Sequence, residues 1–278
     1  MGYTSCMINT IKLNQDAAIP VIGLGTWQLT GKKCREAVKK AIQLGYRHID
    51  TAWIYDNQEE VGKGIRESGI EKEKLFITSK VWTDNLEYKD VLEQCEETLN
   101  QLKLNYLNLY LIHWPNKDIP LEETFRAFKK LVDDEKVKSI GISNFNIERV
   151  KEAVEKSKVP ISVNQVEYHP YLNQENLLKE CKKSKIALTA YSPLGRGKIL
   201  DDPILIKVAN EVDKKPGQVA LRWLIQKEII VIPKASSEDH LKENMEVFDF
   251  KLSKEQMDEI NEIQIKRRLV NPGFSEFN

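Results

Sequence analysis

The sequence predicts an α/β fold: an eight-stranded parallel (β/α)8 TIM barrel with an N-terminal hairpin and two extra C-terminal helices. Three observations predict it. Eight short apolar runs alternate with amphipathic, charged segments along the 278 residues. Strand–helix alternation implies parallel strands joined by right-handed crossovers, and eight such units close into a barrel. The competing doubly wound sheet would show a glycine fingerprint after its first strand. Gly23-Leu24-Gly25-Thr26-Trp27 has a G-x-G but no third glycine three residues on.

The elements follow in order. Ile11–Leu13 and Ala18–Val21, separated by Asn14-Gln15-Asp16, read as a hairpin ahead of the barrel. The barrel strands are expected at Val21–Leu24, Arg47–Asp50, Leu75–Val81, Leu107–His113, Val137–Ser143, Ser162–Glu167, Ala187–Tyr191 and Ile229–Pro233. The first helix is expected at Lys33–Leu44, where Ala37, Val38, Ala41, Ile42 and Leu44 form one apolar stripe opposite lysines. Gln58–Glu67, Glu87–Leu102, Leu121–Asp133, Ile147–Lys156, Gln174–Lys183, Pro203–Val212 and Gln218–Gln226 repeat the pattern. Asp239–Phe248 and Lys254–Ile263 supply the two extra helices, and Lys266–Asn278, with its Pro272-Gly273, is expected to be irregular. No Ser/Gly linker splits the chain, so one domain over residues 1–278 is expected.

Composition narrows the function. Lys+Arg and Asp+Glu are both 42, so the formal net charge is zero and neither nucleic acid nor an anionic membrane is favoured as a partner. The run Lys266-Arg267-Arg268 reads as solvated surface. No apolar run approaches the ~20 residues of a membrane span, and Met1–Thr10 lacks the apolar core of a signal peptide. Cys6, Cys34, Cys95 and Cys181 are scattered without metal or redox spacing. A reduced, cytoplasmic protein without a metal site is the expectation.

Asp50, Lys80 and His113 each close a predicted strand, and Tyr55 lies five residues after Asp50 in the loop to the next helix. Catalytic groups of parallel α/β proteins gather at the carboxyl ends of strands. Singly, each has a bland reading as helix cap, solvated lysine, core histidine or packing tyrosine. Together on successive strands they read as one proton-handling site. A phenol titrates near ~10, too high for efficient proton exchange at neutral pH. An ammonium about 4 Å away, at an effective dielectric near ~20, supplies roughly 4 kcal/mol, enough to lower it by about three units. Lys80 is the candidate ammonium, Asp50 its partner, and His113 the group that orients the oxygen being protonated. The set suits protonation of a carbonyl oxygen while its carbon accepts hydride.

A family resemblance rests on the motifs themselves. Asp50-Thr51-Ala52-Trp53-Ile54-Tyr55, followed by Asn57, Glu59, Glu60 and Val61-Gly62, resembles the signature of the aldo-keto reductases. Thr78-Ser79-Lys80-Val81-Trp82, Leu111-Ile112-His113-Trp114-Pro115, Gly141-Ile142-Ser143-Asn144-Phe145, Asn164-Gln165-Val166-Glu167-Tyr168-His169-Pro170, Ala190-Tyr191-Ser192-Pro193-Leu194 and Ile232-Pro233-Lys234 continue it in order from Gly23 to Pro272. The short-loop aldehyde or diketogluconate reductase-like members are the nearest in pattern. The resemblance implies reduction of aldehydes and ketones with NADP(H), with NAD(H) as a second cofactor, and a monomeric protein acting on small carbonyl compounds. It implies Tyr55 as general acid, Lys80 as its modifier, Asp50 as support and His113 as substrate-orienting group. Ser143, Asn144 and Gln165 would hold the nicotinamide carboxamide, and Tyr191 would stack on its ring. Ser192, Leu194 and Gly195 would follow the pyrophosphate, with Gly25, Thr26 and Asp50 also against the cofactor. Pro233, Lys234, Ser236, His240, Glu243 and Asn244 would hold the adenosine end. Trp27, Trp82, Trp114 and His113 would line the carbonyl pocket, and His169 is structural.

The sequence also departs from the family pattern. NADPH-binding members commonly carry Lys-Ser after the proline, then an arginine six residues after the lysine. Here Ala235 replaces the hydroxyl and His240 the guanidinium. Arginine grips phosphate through a charged bidentate fork, whereas histidine is mostly neutral at pH 7. NADPH preference through Lys234, with reduced discrimination against NADH, is the expectation, with Ser236 or Ser237 as compensation. Trp53 reads either as a packing residue or as a bulky wall near the pocket. The segments after His113 and after Tyr191 are short, which implies an open site and broad substrates unless the tail from Arg267 covers it. A catalytically dead relative would have lost one of the four groups, and all four are present. A phosphosugar isomerase would want a phosphate loop with a glutamate base. Ser192-Pro193-Leu194-Gly195-Arg196-Gly197 is only a faint version.

Overall fold

Period-two alternation along short apolar runs gives strands with one face toward the barrel interior and one toward the helices. The computed structural model describes residues 9–14 and 17–277. Among these, β1 (Thr10–Lys12) and β2 (Ala18–Pro20) form the antiparallel hairpin, with Ile11 opposite Ile19. Gln15, Asp16 and Cys6 lie outside the described residues. The barrel strands are β3 (Leu24–Gly25), β4 (His48–Asp50), β5 (Phe76–Val81), β6 (Leu107–Ile112), β7 (Val137–Ser143), β8 (Ile161–Glu167), β9 (Ala187–Tyr191) and β10 (Ile230–Val231). All pair in parallel in sequence order. The seam between last and first strands closes through the Ile22–Val231 bridge and through Gly23 N–H to Val231 O (2.9 Å), Val231 N–H to Val21 O (2.9 Å) and Gly25 N–H to Pro233 O (3.2 Å).

The helices are α1 (Gly31–Gln43), α2 (Gln58–Glu67), α3 (Tyr88–Leu102), α4 (Leu121–Asp133), α5 (Ile147–Lys156), α6 (Glu175–Lys183), α7 (Pro203–Glu211), α8 (Pro216–Gln226), α9 (Glu238–Met245) and α10 (Lys254–Asn261). Asp202 starts α7 by accepting from the amides of Ile204 (2.9 Å) and Leu205 (3.3 Å), with Pro203 in the first turn. Helix α8 begins at Pro216, two residues before the sequence expectation, because a first-turn proline needs no intrahelical N–H donor. Helix α9 stops at Met245, short of Phe248. The Gln218 amide takes the carbonyls of Glu243 (3.1 Å) and Glu246 (3.2 Å) and terminates it.

Apolar packing is divided in two. The outer layer joins strand backs to helix stripes, through residues such as Ile49, Ile77, Tyr110, Ile140 and Ile142. The lower barrel interior is a separate cluster of Phe76, Leu109, Leu111, Val163 and Ile230, into which the hairpin inserts Leu13 and Ile19. Following the inward faces upward by twos, Phe76 leads to Thr78 and Lys80, and His48 leads to Asp50. The inward series therefore turns from apolar to ionisable toward the carboxyl ends. The G-x-G motif serves this interior. A Cβ on Gly23 would stand 2.5 Å from His48 Nδ1, and one on Gly25 would stand 2.6 Å from Ile232 O.

Candidate active site

Strand register brings the predicted residues together. Gly25 is paired with Asp50, Asp50 with Thr78, Lys80 with Leu111, and Ser143 with Gln165, so the carboxyl ends converge on one mouth. A short 3-10 turn, Trp53–Tyr55, ends at Asp56 in the left-handed conformation (φ 52°) and carries Tyr55 over the barrel. Asn57 ties this turn down, donating to the carbonyls of Thr26 and Leu29 (both 2.9 Å) and accepting from Thr51 Oγ1 (2.9 Å).

Lys80 is fully buried, 0 % exposed. Its ammonium donates to Asp50 Oδ1 (2.6 Å), Thr51 O (2.9 Å) and Tyr55 Oη (3.4 Å). All three of its protons are thereby used. The other Asp50 oxygen accepts from Gln165 Nε2 at 2.7 Å. Asn144, at φ 64°, donates to His113 O (2.9 Å) and accepts from the Tyr191 hydroxyl (2.8 Å). The Ser143 hydroxyl donates to Gln165 O at 2.7 Å. The Tyr55 ring lies 4.8 Å from Trp27 and 5.6 Å edge-on from His113, and His113 lies 5.4 Å edge-on from Trp82. His113 Nδ1 is buried without a hydrogen-bond partner among the described residues.

The electrostatics correct one expectation. The net shift of Tyr55 in this resting site is upward, against the lowering expected from Lys80. Burial, and then the Asp50 charge, push the phenol well above its ordinary value. Asp50 stands closer to Lys80 than Tyr55 does and offsets the ammonium's field at the phenol. Within the ion pair, burial draws Lys80 down and pushes Asp50 up, each opposed by the partner's charge. Burial, then Lys80, hold His113 well below the ordinary imidazole range, so the ring is neutral at pH 7.

A cavity of about 800 Å³ opens above this cluster. Tyr55, Asp50, His113, Asn144, Gln165, Gly25 and Thr26 line its base, and Trp27, Trp82, Trp114 and Tyr191 line its walls. Ser192, Leu194, Pro233 and Lys234 line its far arm. Gln28, Ile54, Arg196 and the tail residues Leu269–Pro272 and Phe274 also line it; the sequence named none of them as lining, although it allowed the tail from Arg267 to cover the site. Arg196 lay inside the faint phosphate-loop run and carried a readable signal, namely a cation beside glycines. The tail carried no such signal.

Other predicted residues stand outside the lining. Ser143 and Gly195 are buried just behind it. Ser236 and His240 are exposed at the start of α9, where the Ser237 hydroxyl accepts from the His240 amide at 3.3 Å. Glu243 pairs with Lys215, and Asn244 is buried against the Tyr46 hydroxyl. Trp53 is no pocket wall, since its indole N–H donates to Glu97 on α3 at 2.8 Å. His169 is buried and bonds Glu167 at 2.9 Å, in keeping with a structural place. Of the basic run, Lys266 and Arg267 are exposed, but Arg268 is half-buried and stacks 3.8 Å from the Phe277 ring. Cys34, Cys95 and Cys181 are buried and unpaired. Among the described residues no cluster could hold a metal, and no helix is long and apolar enough to cross a membrane.

A parallel eight-fold barrel with a buried ammonium–carboxylate pair, a phenol and a neutral imidazole at its carboxyl mouth defines a barrel enzyme. The family is set by comparison with known proteins. The model of the aldo/keto reductase family matches residues 21–265. The glyoxal reductase of Bacillus subtilis (strain 168) is 44% identical over 269 residues, covering 96% of this chain and 97% of that one. A solved structure described as a putative 2,5-diketo-D-gluconic acid reductase B superposes with a TM-score of 0.93 at 40% identity, covering 97% of this chain and 96% of that one. The aldo-keto reductase of Bombyx mori, solved in complex with NADP, gives a TM-score of 0.89 at 36% identity, with 95% of each chain covered. The chain belongs to the aldo/keto reductase family and is an oxidoreductase.

Proposed function

We propose that this protein is an NADPH-dependent reductase of small aldehydes and ketones in which Tyr55 is the general acid. One observation carries the reading. Lys80 donates to the Tyr55 oxygen at 3.4 Å, which occupies a lone pair and leaves the phenol's own O–H free to point into the cavity. A raised pKa suits a donor, since the phenol keeps its proton at pH 7 until a substrate oxygen takes it. As charge develops on the phenolate, Lys80 is already in place to stabilise it. Neutral His113, beside Tyr55, donates a hydrogen bond to the same carbonyl oxygen and orients it. The tryptophans exclude water from the reacting atoms.

The residues present fit a nicotinamide dinucleotide. The cavity has an aromatic end at Trp82 and Trp114 and a cationic arm at Arg196 and Lys234, and Tyr191 offers a flat wall between them. When bound, the nicotinamide supplies the hydride. Asn144 and Gln165 would hold its carboxamide, with Ser143 behind them bonded to both, Tyr191 would face its ring, and Lys234 would meet the 2′-phosphate. Ala235 is buried and His240 exposed, so the 2′-phosphate grip lacks a hydroxyl and a guanidinium, and NADH competes better than in arginine-bearing relatives. The NADP complex of the silkworm relative supports the cofactor class. We read the protein as one catalytic domain, monomeric and cytoplasmic.

The test follows nicotinamide absorbance with an aromatic aldehyde and with methylglyoxal, using NADPH and NADH, on wild type and Tyr55→Phe. We expect wild-type turnover favouring NADPH, and a loss of about 10²–10⁴-fold in kcat in Tyr55→Phe with cofactor affinity kept. Equal or better efficiency with NADH overturns the cofactor preference, and undiminished turnover in Tyr55→Phe overturns the general acid.

A further inference from the structure

We propose that Arg149 and Glu167, neither of which lines the cavity, are positioning residues that set substrate selectivity by pinning the C-terminal tail across its mouth. This rests on the reductase reading above.

The tail after α10 has no helix or strand, so its backbone groups need partners elsewhere to hold one conformation. Glu167 supplies them at the inner end. It is fully buried at the carboxyl end of β8. One of its oxygens accepts from the Leu269 amide (2.7 Å), and the other accepts from the Val270 amide (2.8 Å). His169 Nε2 lies 2.9 Å from the first of these oxygens and holds the carboxylate in place. Tyr171 adds a backbone anchor, accepting from the Arg267 amide at 2.7 Å.

Arg149 on α5 holds the outer end. Its Nε and Nη2 form a fork on Glu276, at 2.7 and 2.6 Å. A bidentate guanidinium–carboxylate pair fixes direction as well as distance. Between the two anchors Phe274 is held edge-on against Trp82 (5.9 Å) and Trp114 (5.6 Å), and Phe277 lies 5.9 Å from Trp114. Phe274 remains 50% exposed, so these two ring edges alone would not hold it against solvent-driven motion. The anchors decide where the Phe274 wall stands. Phe274 and Tyr55 line the same cavity, so a bulky aromatic substrate held at Tyr55 is the one expected to feel where that wall stands, and a small dicarbonyl the one expected to be indifferent to it.

The test uses Glu276→Gln and Arg149→Met, with Glu152→Gln as control. Glu152 also bonds Arg149, at 2.7 Å, but does not touch the tail. Hydrogen exchange of the tail peptide from Leu269 to Phe277 reads the strap without any turnover, and KM and kcat are read for benzaldehyde and methylglyoxal. In both strap variants we expect exchange faster by about 10-fold. We also expect KM for benzaldehyde to rise about 10-fold, with kcat and the methylglyoxal constants within about twofold of wild type. The control stays near wild type. Unchanged exchange overturns the strap while leaving the reductase reading intact. Faster exchange with an unchanged benzaldehyde-to-methylglyoxal ratio overturns the selectivity claim. Absence of turnover in wild type sinks the reductase reading, and the selectivity claim with it, before any variant is compared.

Discussion

Asp50, Lys80, Tyr55 and His113 were readable as a set because each closes or follows an apolar run, and the ladder register then stacks those ends. The direction of the Tyr55 shift was not readable. It depends on how near Asp50 comes to Lys80, 2.6 Å, and on how deep the phenol sits. His48, two residues below Asp50 on the same inward face, gives a separate prediction. Burial, then the Lys80 charge, hold it down to about 3. An unfolded imidazole titrates near ~6.5. Between those values the unfolded chain binds a proton that the folded chain does not. Stability is therefore complete above about 6.5 and is lost as pH falls toward about 3, by up to ~1.4 kcal/mol per pH unit from this group. Urea unfolding of wild type and His48→Asn at pH 7 and pH 5 checks it. The loss between the two pH values should be smaller in the variant, and equal losses would count against a buried neutral His48.

Among the elements, the helices α2, α4 and α5 begin and end at the residues their periodicity indicates. The seam strands do not. β3 is a ladder of only two residues, Leu24–Gly25, and β10 is likewise Ile230–Val231, because closure shifts their bonding to one bridge and flanking loop carbonyls. Gly25 is the tight point. Its inward face meets the Ile232 carbonyl, which is backbone and cannot rotate away. Gly25→Ala should force β3 off the seam and destabilise the protein by about 1–3 kcal/mol, measured as a lower urea midpoint at unchanged m. Because Gly25 also lines the cavity, cofactor affinity should fall in the same variant. A variant as stable as wild type would mean the seam yields more easily than this contact allows.

Across the whole molecule the barrel is polar at one end and plugged at the other. The hairpin fills the lower mouth with Leu13 and Ile19, and the carboxyl mouth carries the cavity and the tail. Determinants of stability and of chemistry should therefore separate along the axis. Ile19→Ala leaves a hole against Phe76, Leu109 and Val163 and should cost about 2–5 kcal/mol of stability, with KM and kcat unchanged when assayed below the unfolding transition. A changed KM would show that the two ends are coupled.

What the sequence by itself determined is local and periodic: the alternation of strands and helices, the ionisable strand ends and the motif order. These survive reading one residue after another because side-chain direction in strands and helices has a fixed period. Only the tertiary structure decided the placement of Trp53 on Glu97, the use of Gly23 and Gly25 as room for His48 and Ile232, the upward push on Tyr55, and the course of the tail. Each of these depends on a partner far along the chain. Glu167 and Val270 stand more than a hundred residues apart in sequence and 2.8 Å apart in space, and no local pattern encodes a distance that only closure of the barrel creates.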